Sequence, residues 1–218
     1  MPAKGVMSFS EFTLESVERQ LGVTTQEAVL FPDSPVAQVP EWLPGLLDRR
    51  TRLALISEKA RSEFIVAPIL MAAREISGDQ FAIYSGQRLD VDPDRGLVGE
   101  CDFILALGPA VPPLHAPIMT VVEAKKNDIE VGLGQCIAQM VAARKFNEAA
   151  GRMMSPIYGC VTTGETWQFV RLTDQIALLD RDSYYLNNVA AILGVLQAIY
   201  RDAVRAGPNK SVQPTAAS

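Results

Sequence analysis

Gly99-Glu100-Cys101-Asp102-Phe103-Ile104-Leu105 and Thr120-Val121-Val122-Glu123-Ala124-Lys125-Lys126 are the stretches whose reading decides the fold. Each is an apolar strand pattern that carries charge where a buried strand should carry none. Asp102 enters early in its apolar run. Glu123 and Lys125 close theirs two residues apart, so on a strand they point to the same face. Along that strand they would stand about 6.6 Å apart, at about 3.3 Å per residue. If the Asp102 strand pairs next to theirs, its carboxylate lies roughly one strand spacing away, about 4.8 Å. That separation lets one small cation bridge Asp102 and Glu123. Mg2+ suits such a pair, because it takes oxygen ligands and is often held by one or two carboxylates plus waters and substrate phosphate. Mn2+ could take its place. Lys125, next to the cation, could orient or deprotonate a bound water, or offset charge building on a phosphate.

Outward from this pair, the pattern predicts alternating helices and strands. A helix with Ser10 as its cap is expected over 10–21, and residues 1–8 look loose. Pro32, Pro35, Pro40 and Pro44 make 24–44 mostly loop. A long helix is expected over 46–76, kinked or split at Pro68 and ended by Ser77-Gly78-Asp79. Strands follow at 81–85, 100–107 and 118–124, with a polar loop over 87–97. Asn127-Asp128 opens a helix that Gly151 ends. Strands recur at 157–162, 166–172 and 175–179, and a helix from about Tyr184 to Ala206 closes the domain. Strand, helix, strand implies a parallel crossover, and the early hairpins are antiparallel, so the sheet is mixed with helices on both faces. The division is 1–45 as a helix and Pro-rich extension, 46–206 as the main domain, and 207–218 as a polar, disordered tail.

Composition narrows the function classes. The chain has 218 residues, 48% of them apolar, enough for one domain with a real core. Its net charge of −5 lacks the basic footprint of a general nucleic-acid binder. Local basic clusters such as Arg49-Arg50-Thr51-Arg52, Lys125-Lys126 and Arg144-Lys145 read mainly as solvated helix faces. Cys101, Cys136 and Cys160 are unpaired by spacing and lie in apolar segments, as in a reducing compartment. With His115 as the only histidine, zinc is poorly served and a His-based triad has little to build on. No signal pattern and no run of membrane-span length is present, so a cytoplasmic location is expected.

Each candidate residue also has a structural reading. Glu63 shares helical spacing with Val66, Ala67 and Leu70, so it faces the acid pair or sits at the stripe's edge, paired with Lys59. Asp102 could instead bond backbone amides at a strand edge. Gln135 and Gln139 lie one turn apart beside Ala138 and Ala142, small residues that would let that face approach the sheet. Gln135 could then position a water or the Lys125 ammonium, or both could form a polar helix face. Glu100 shares the strand face of Asp102 and could be a supporting acid or the strand entry. Trp167 reads as core.

Taken together, these residues resemble the PD-(D/E)XK, or restriction-endonuclease-like, nuclease superfamily. Ser62-Glu63-Phe64-Ile65 resembles the helical element, Gly99-Glu100-Cys101-Asp102-Phe103 the Asp element, and Val122-Glu123-Ala124-Lys125 the Glu-x-Lys strand. Gly134-Gln135 resembles the Gln of the next helix. Val161-Thr162-Thr163-Gly164-Glu165-Thr166-Trp167-Gln168-Phe169 is similar to a hairpin in the nuclease domains of type I restriction enzymes, with Thr163 where Asn is usual. Cys101 stands where the pattern has Pro. The resemblance implies an α/β fold, an α/β/α sandwich with a central mixed sheet flanked by helices. It implies a Mg2+-dependent phosphodiesterase acting on nucleic acid, with DNA the expected substrate, in which Asp102 and Glu123 bind metal, Lys125 supports the attacking water, and Glu63 and Gln135 assist. A homodimer would suit cutting of two strands. The alternative is a catalytically silent module of the same fold that binds nucleic acid or a protein partner.

Overall fold

Val- and Ile-rich runs with buried side chains become the middle of a sheet. The computed structural model describes residues 7–33, 35–49 and 57–207, and the backbone of 209–210. Seven strands are β1 (Thr24–Ala28), β2 (Phe81–Arg88), β3 (Glu100–Leu107), β4 (Ile118–Ala124), β6 (Ile157–Thr162), β7 (Thr166–Thr173) and β8 (Ile176–Tyr185). They form one mixed sheet in the order β1-β8-β7-β6-β4-β3-β2. The remaining strands, β5 (Arg152–Met153) and β9 (Asn209–Lys210), make a separate antiparallel pair. The helices are α1 (Leu14–Ser16), α2 (Trp42–Arg49), α3 (Glu58–Arg61), α4 (Ala67–Ile76), α5 (Ile129–Ala149) and α6 (Val189–Ala206).

β2, β3 and β4 form an antiparallel meander, and α5 carries the chain over to β6, which pairs parallel with β4. Helices cover both faces. Above Gly159 the space is filled by Met140 and Cys136 of α5. The adjacent Tyr158, pointing the other way, donates its hydroxyl to Asp202 of α6 at 2.8 Å. α4 packs on α6, and the N-terminal segment returns over the outside of α5. The strands at 100–107, 118–124 and 157–162 and the crossover helix fall where the pattern predicts them.

Four expectations change. The N-terminal caps are Ser8 and Thr13, not Ser10. Thr13 Oγ1 accepts from the Ser16 amide at 3.2 Å, and α1 continues as a wide π-type turn, Val17–Leu21. Thr24–Ala28 is a strand where loop is expected. It is an edge strand paired parallel to β8, with mostly exposed polar side chains, so it carries no apolar alternation. The helix expected over 46–76 is at least two. α2 starts at Trp42, residues 50–56 lie outside the described residues, and Ser57 Oγ opens α3 by accepting from the Ala60 amide at 3.0 Å. Pro68 is accommodated without a break because the preceding turn, Ser62–Val66, widens and the Ala67 amide donates to Ser62. Finally, β8 extends to Tyr185, where helix is expected from Tyr184. Trp167 opposite Tyr184 and Thr166 opposite Tyr185 keep it in the ladder, and α6 begins only at Val189. The loose residues 1–6 and most of the tail expected disordered lie outside the described residues, although Asn209–Lys210 pairs with β5.

One close approach fixes the height of α5. A Cβ at Gly134 would stand 2.5 Å from the Phe12 carbonyl oxygen and 2.6 Å from Thr13 Cα, both backbone atoms. Gly134→Ala is therefore expected to destabilise the fold by about 1–3 kcal/mol through overpacking. Urea denaturation should show a lower midpoint at an unchanged slope.

Candidate functional site

Phe103 lies opposite Val122 and Ile104 opposite Val121 in the β3–β4 ladder, and this register puts Asp102 beside Glu123. Val121 and Val122, both fully buried, draw the end of β4 into the core, so Glu123 is only 4% exposed. Just beyond β4 the Lys125 amide donates to the Thr162 carbonyl at 2.7 Å, which ties the Glu-x-Lys segment to the end of β6. Asp102 Oδ2 accepts from the Ala124 amide at 2.7 Å, so this half-buried acid also fastens β4.

Glu123 turns toward α5 and is gripped by three donors. Its Oε1 accepts from Lys125 Nζ at 2.8 Å and Gln135 Nε2 at 2.6 Å, and its Oε2 accepts from Gln139 Nε2 at 2.8 Å. Gln135 Oε1 in turn accepts from Lys125 Nζ at 2.9 Å, closing a small ring of three side chains. Gly132 makes room for this arrangement, since a Cβ there would meet Lys125 Cγ at 3.0 Å and Val161 Cγ1 at 2.6 Å. The Asp128 side chain caps α5 by accepting from the Glu130 amide at 2.9 Å, so the helix starts just above the site.

Burial pushes the Glu123 carboxyl up to about 7, and the Asp102 charge adds to the rise against the opposing Lys125 charge and its donors. Asp102 is raised as well. Burial is the main cause, the Ala124 amide and Lys125 oppose it, and Glu58 and Glu100 add to it. The Asp102 charge thus hinders the ionisation of Glu123.

Asp102 opens onto a cleft of about 480 Å3, lined also by Glu58, Lys59, Glu63, Ser85 and Glu100. Glu63 is exposed, pairs with Lys59 at 3.8 Å, and stands on the cleft wall at the edge of the buried stripe Ile65, Val66, Ile69, Leu70. The structure therefore joins Glu123, Lys125 and Gln135 by hydrogen bonds, sets Asp102 opposite Glu123 in the ladder, and puts Glu63 on the cleft that Asp102 lines. Two further residues enter that the sequence reading gave no role. Glu58 Oε1 accepts from the Lys126 amide at 3.0 Å, tying α3 to the Glu-x-Lys segment, and its position after the Ser57 cap was hidden inside a predicted long helix. Gln139 holds the second Glu123 oxygen, and its one-turn spacing from Gln135 showed only that the two share a helix face.

The hairpin after β6 closes the same end of the sheet. Gly164, at a left-handed φ of 83°, accepts from Trp167 Nε1 at 3.1 Å, and Trp167 is fully buried as core. Arg61 reaches the Thr163 carbonyl at 3.1 Å. All three cysteines are free and buried. Among the described residues no group of three or more His, Cys, Asp or Glu side chains is placed to hold a metal ion, and no helix is long and apolar enough to cross a membrane. No protein-family model matches the chain, and no curated protein matches it significantly.

Lys125→Met removes the only cation touching Glu123 among the described residues and should cost about 3 kcal/mol at pH 8, because a buried charge loses its partner. Glu123 has its folded value above the free value of 4.5. Its contribution to stability is thus fully present below about pH 4.5 and lost as pH rises through about 7. The deficit of Lys125→Met should accordingly shrink at pH 5, where the carboxyl holds its proton. Urea unfolding of both proteins at pH 5 and pH 8 measures it.

Proposed function

We propose that this protein is a Mg2+-dependent phosphodiesterase that hydrolyses nucleic acid, with DNA the expected substrate, on a restriction-endonuclease-like α/β/α sandwich. The observation that carries this reading is the convergence of Asp102 from β3, Glu123 and Lys125 from the end of β4, and Gln135 from α5. They meet in the chain order of the PD-(D/E)XK pattern. The β2–β3–β4 meander, the α5 crossover and the parallel β6 support the finer fold.

The donor set fits the ion. Asp102 and Glu123 are hard oxygen ligands. Each is held toward its protonated form by burial, and Glu123 also by the Asp102 charge, so a divalent cation between them would relieve what opposes their ionisation. When bound, Mg2+ supplies Lewis acidity and a more acidic water. The chain's own residues do the rest. Asp102 and Glu123 would hold the ion. Lys125, its ammonium 2.8 Å from Glu123 Oε1, sits where it can steady an attacking water or the charge on a phosphate. Gln135 orients that ammonium, and Glu63 would assist from the cleft that Asp102 lines.

One observation favours the second reading, a silent module of this fold that binds nucleic acid or a protein partner. Glu123 already has both oxygens engaged by Lys125, Gln135 and Gln139.

Cleavage of plasmid, linear duplex, single-stranded DNA and RNA with Mg2+ or Mn2+ separates the two. Wild type should cut at least one, and Asp102→Ala and Lys125→Ala should each lower the rate about a hundredfold or more. Full cutting by both variants would sink the nuclease, and a folded wild type that cuts none would leave the binding module. The ion should raise the melting temperature more at pH 8 than at pH 5, since both acids must lose their protons to take it.

A further inference from the structure

Gln139 is fully buried on α5, among Ala138, Met140, Ala142 and Ala143. A leucine would fill such a place without polar atoms to satisfy. The glutamine instead carries a carbonyl oxygen, Oε1, that has no hydrogen-bond partner among the described residues. Leaving a buried acceptor unmatched is a standing cost, so packing does not account for the residue. Its amide makes one contact of consequence, the 2.8 Å bond from Nε2 to Glu123 Oε2.

We propose that Gln139 is a positioning residue for Glu123. This rests on the metal-dependent reading above. The two oxygens of Glu123 face different surroundings. Oε2 is pinned from inside by a side chain with no exposure, whereas Oε1 faces Lys125, whose side chain is 17% exposed. Gln139 therefore fixes the carboxylate's rotation from the core side and presents Oε1 toward the open end of the site, where Lys125 and Gln135 stand. Gln135 cannot replace it, because its amide shares Oε1 and its own oxygen is committed to Lys125. The two glutamines, one turn apart, thus divide the carboxylate between them. A donor that orients a ligating carboxylate without touching the ion characteristically tunes affinity.

The test is Mn2+ binding by calorimetry, with the metal alone, on the full chain and on Gln139→Leu and Gln139→Glu. A double-mutant cycle with Glu123→Gln, followed by urea unfolding of the metal-free proteins, runs beside it. Wild type should bind Mn2+, and Gln139→Leu should bind it about tenfold or more weakly while keeping the fold by far-UV circular dichroism. Gln139→Glu, which sets a second carboxylate against Glu123 Oε2, should disturb binding at least as much as Gln139→Leu. Unchanged affinity in Gln139→Leu would overturn the positioning role and leave the nuclease reading standing. If wild type binds no Mn2+, the nuclease reading falls, and the cycle then decides the role of Gln139 alone. Coupling between positions 139 and 123 upholds it, and additivity overturns it.

Discussion

The carboxylate of Glu123, taken out of water at the end of a central strand, constrains everything around it. An isolated buried carboxylate is costly enough that proteins pair it or protonate it. Here it meets Lys125, Gln135 and Gln139. Those contacts demand that α5 lie close on β4 and β6, which is why glycine stands at 132 against Lys125. They also demand that α5 be held down from outside. The N-terminal segment does this, with Phe9, Phe12, Val17 and Leu21 buried in the same core cluster as Val121 and Met140. Its backbone at Phe12 and Thr13 rides over Gly134, next to Gln135. A segment remote in sequence thus sets the height of the helix that serves the acid.

Asp102 adds a second demand. Two like charges one strand spacing apart repel by on the order of 3 kcal/mol at the effective dielectric of partly buried sites. The Lys125 ammonium offsets roughly one such repulsion, which leaves the group short of a positive charge. Glu58, Glu63 and Glu100 line the same cleft as Asp102, with Lys59 as the cation among them. An anionic substrate would be repelled from such a cleft until positive charge is supplied there. The net charge of −5 gives no help from the rest of the chain. An anion entering this cleft would need positive charge beside it, an argument from electrostatics that stands apart from the motif.

The middle of the sheet was legible because burial leaves a strong mark. Strands over 100–107, 118–124 and 157–162 are predominantly apolar, and the crossover helix has Asp128 before it and Gly151 after it. The edges were not. Thr24–Ala28 has no apolar face to alternate, because its side chains look into solvent and its place is set by pairing with β8. Tyr184 and Tyr185 are held in a strand by partners in β7 far from them in sequence. The site divides in the same way. Glu-x-Lys and the preceding Asp were readable from charge interrupting an apolar run. The role of Gln139 was not, since a buried amide has no sequence signature beyond its spacing from Gln135, and only the fold shows which oxygen it reaches.

The choice of residue type around Glu123 carries a final argument. An arginine or a second lysine at 135 or 139 would neutralise the carboxylate and extinguish its pull on a cation. Glutamine donates a hydrogen bond without a compensating charge. The Glu123 carboxylate therefore has its geometry fixed while, among the described residues, its charge is met by Lys125 alone. That combination suits a carboxylate that must be rigid while Asp102 beside it leaves two acids facing one ammonium. The neutral donors are thus the feature that ties the packing of α5 to the chemistry proposed for the site.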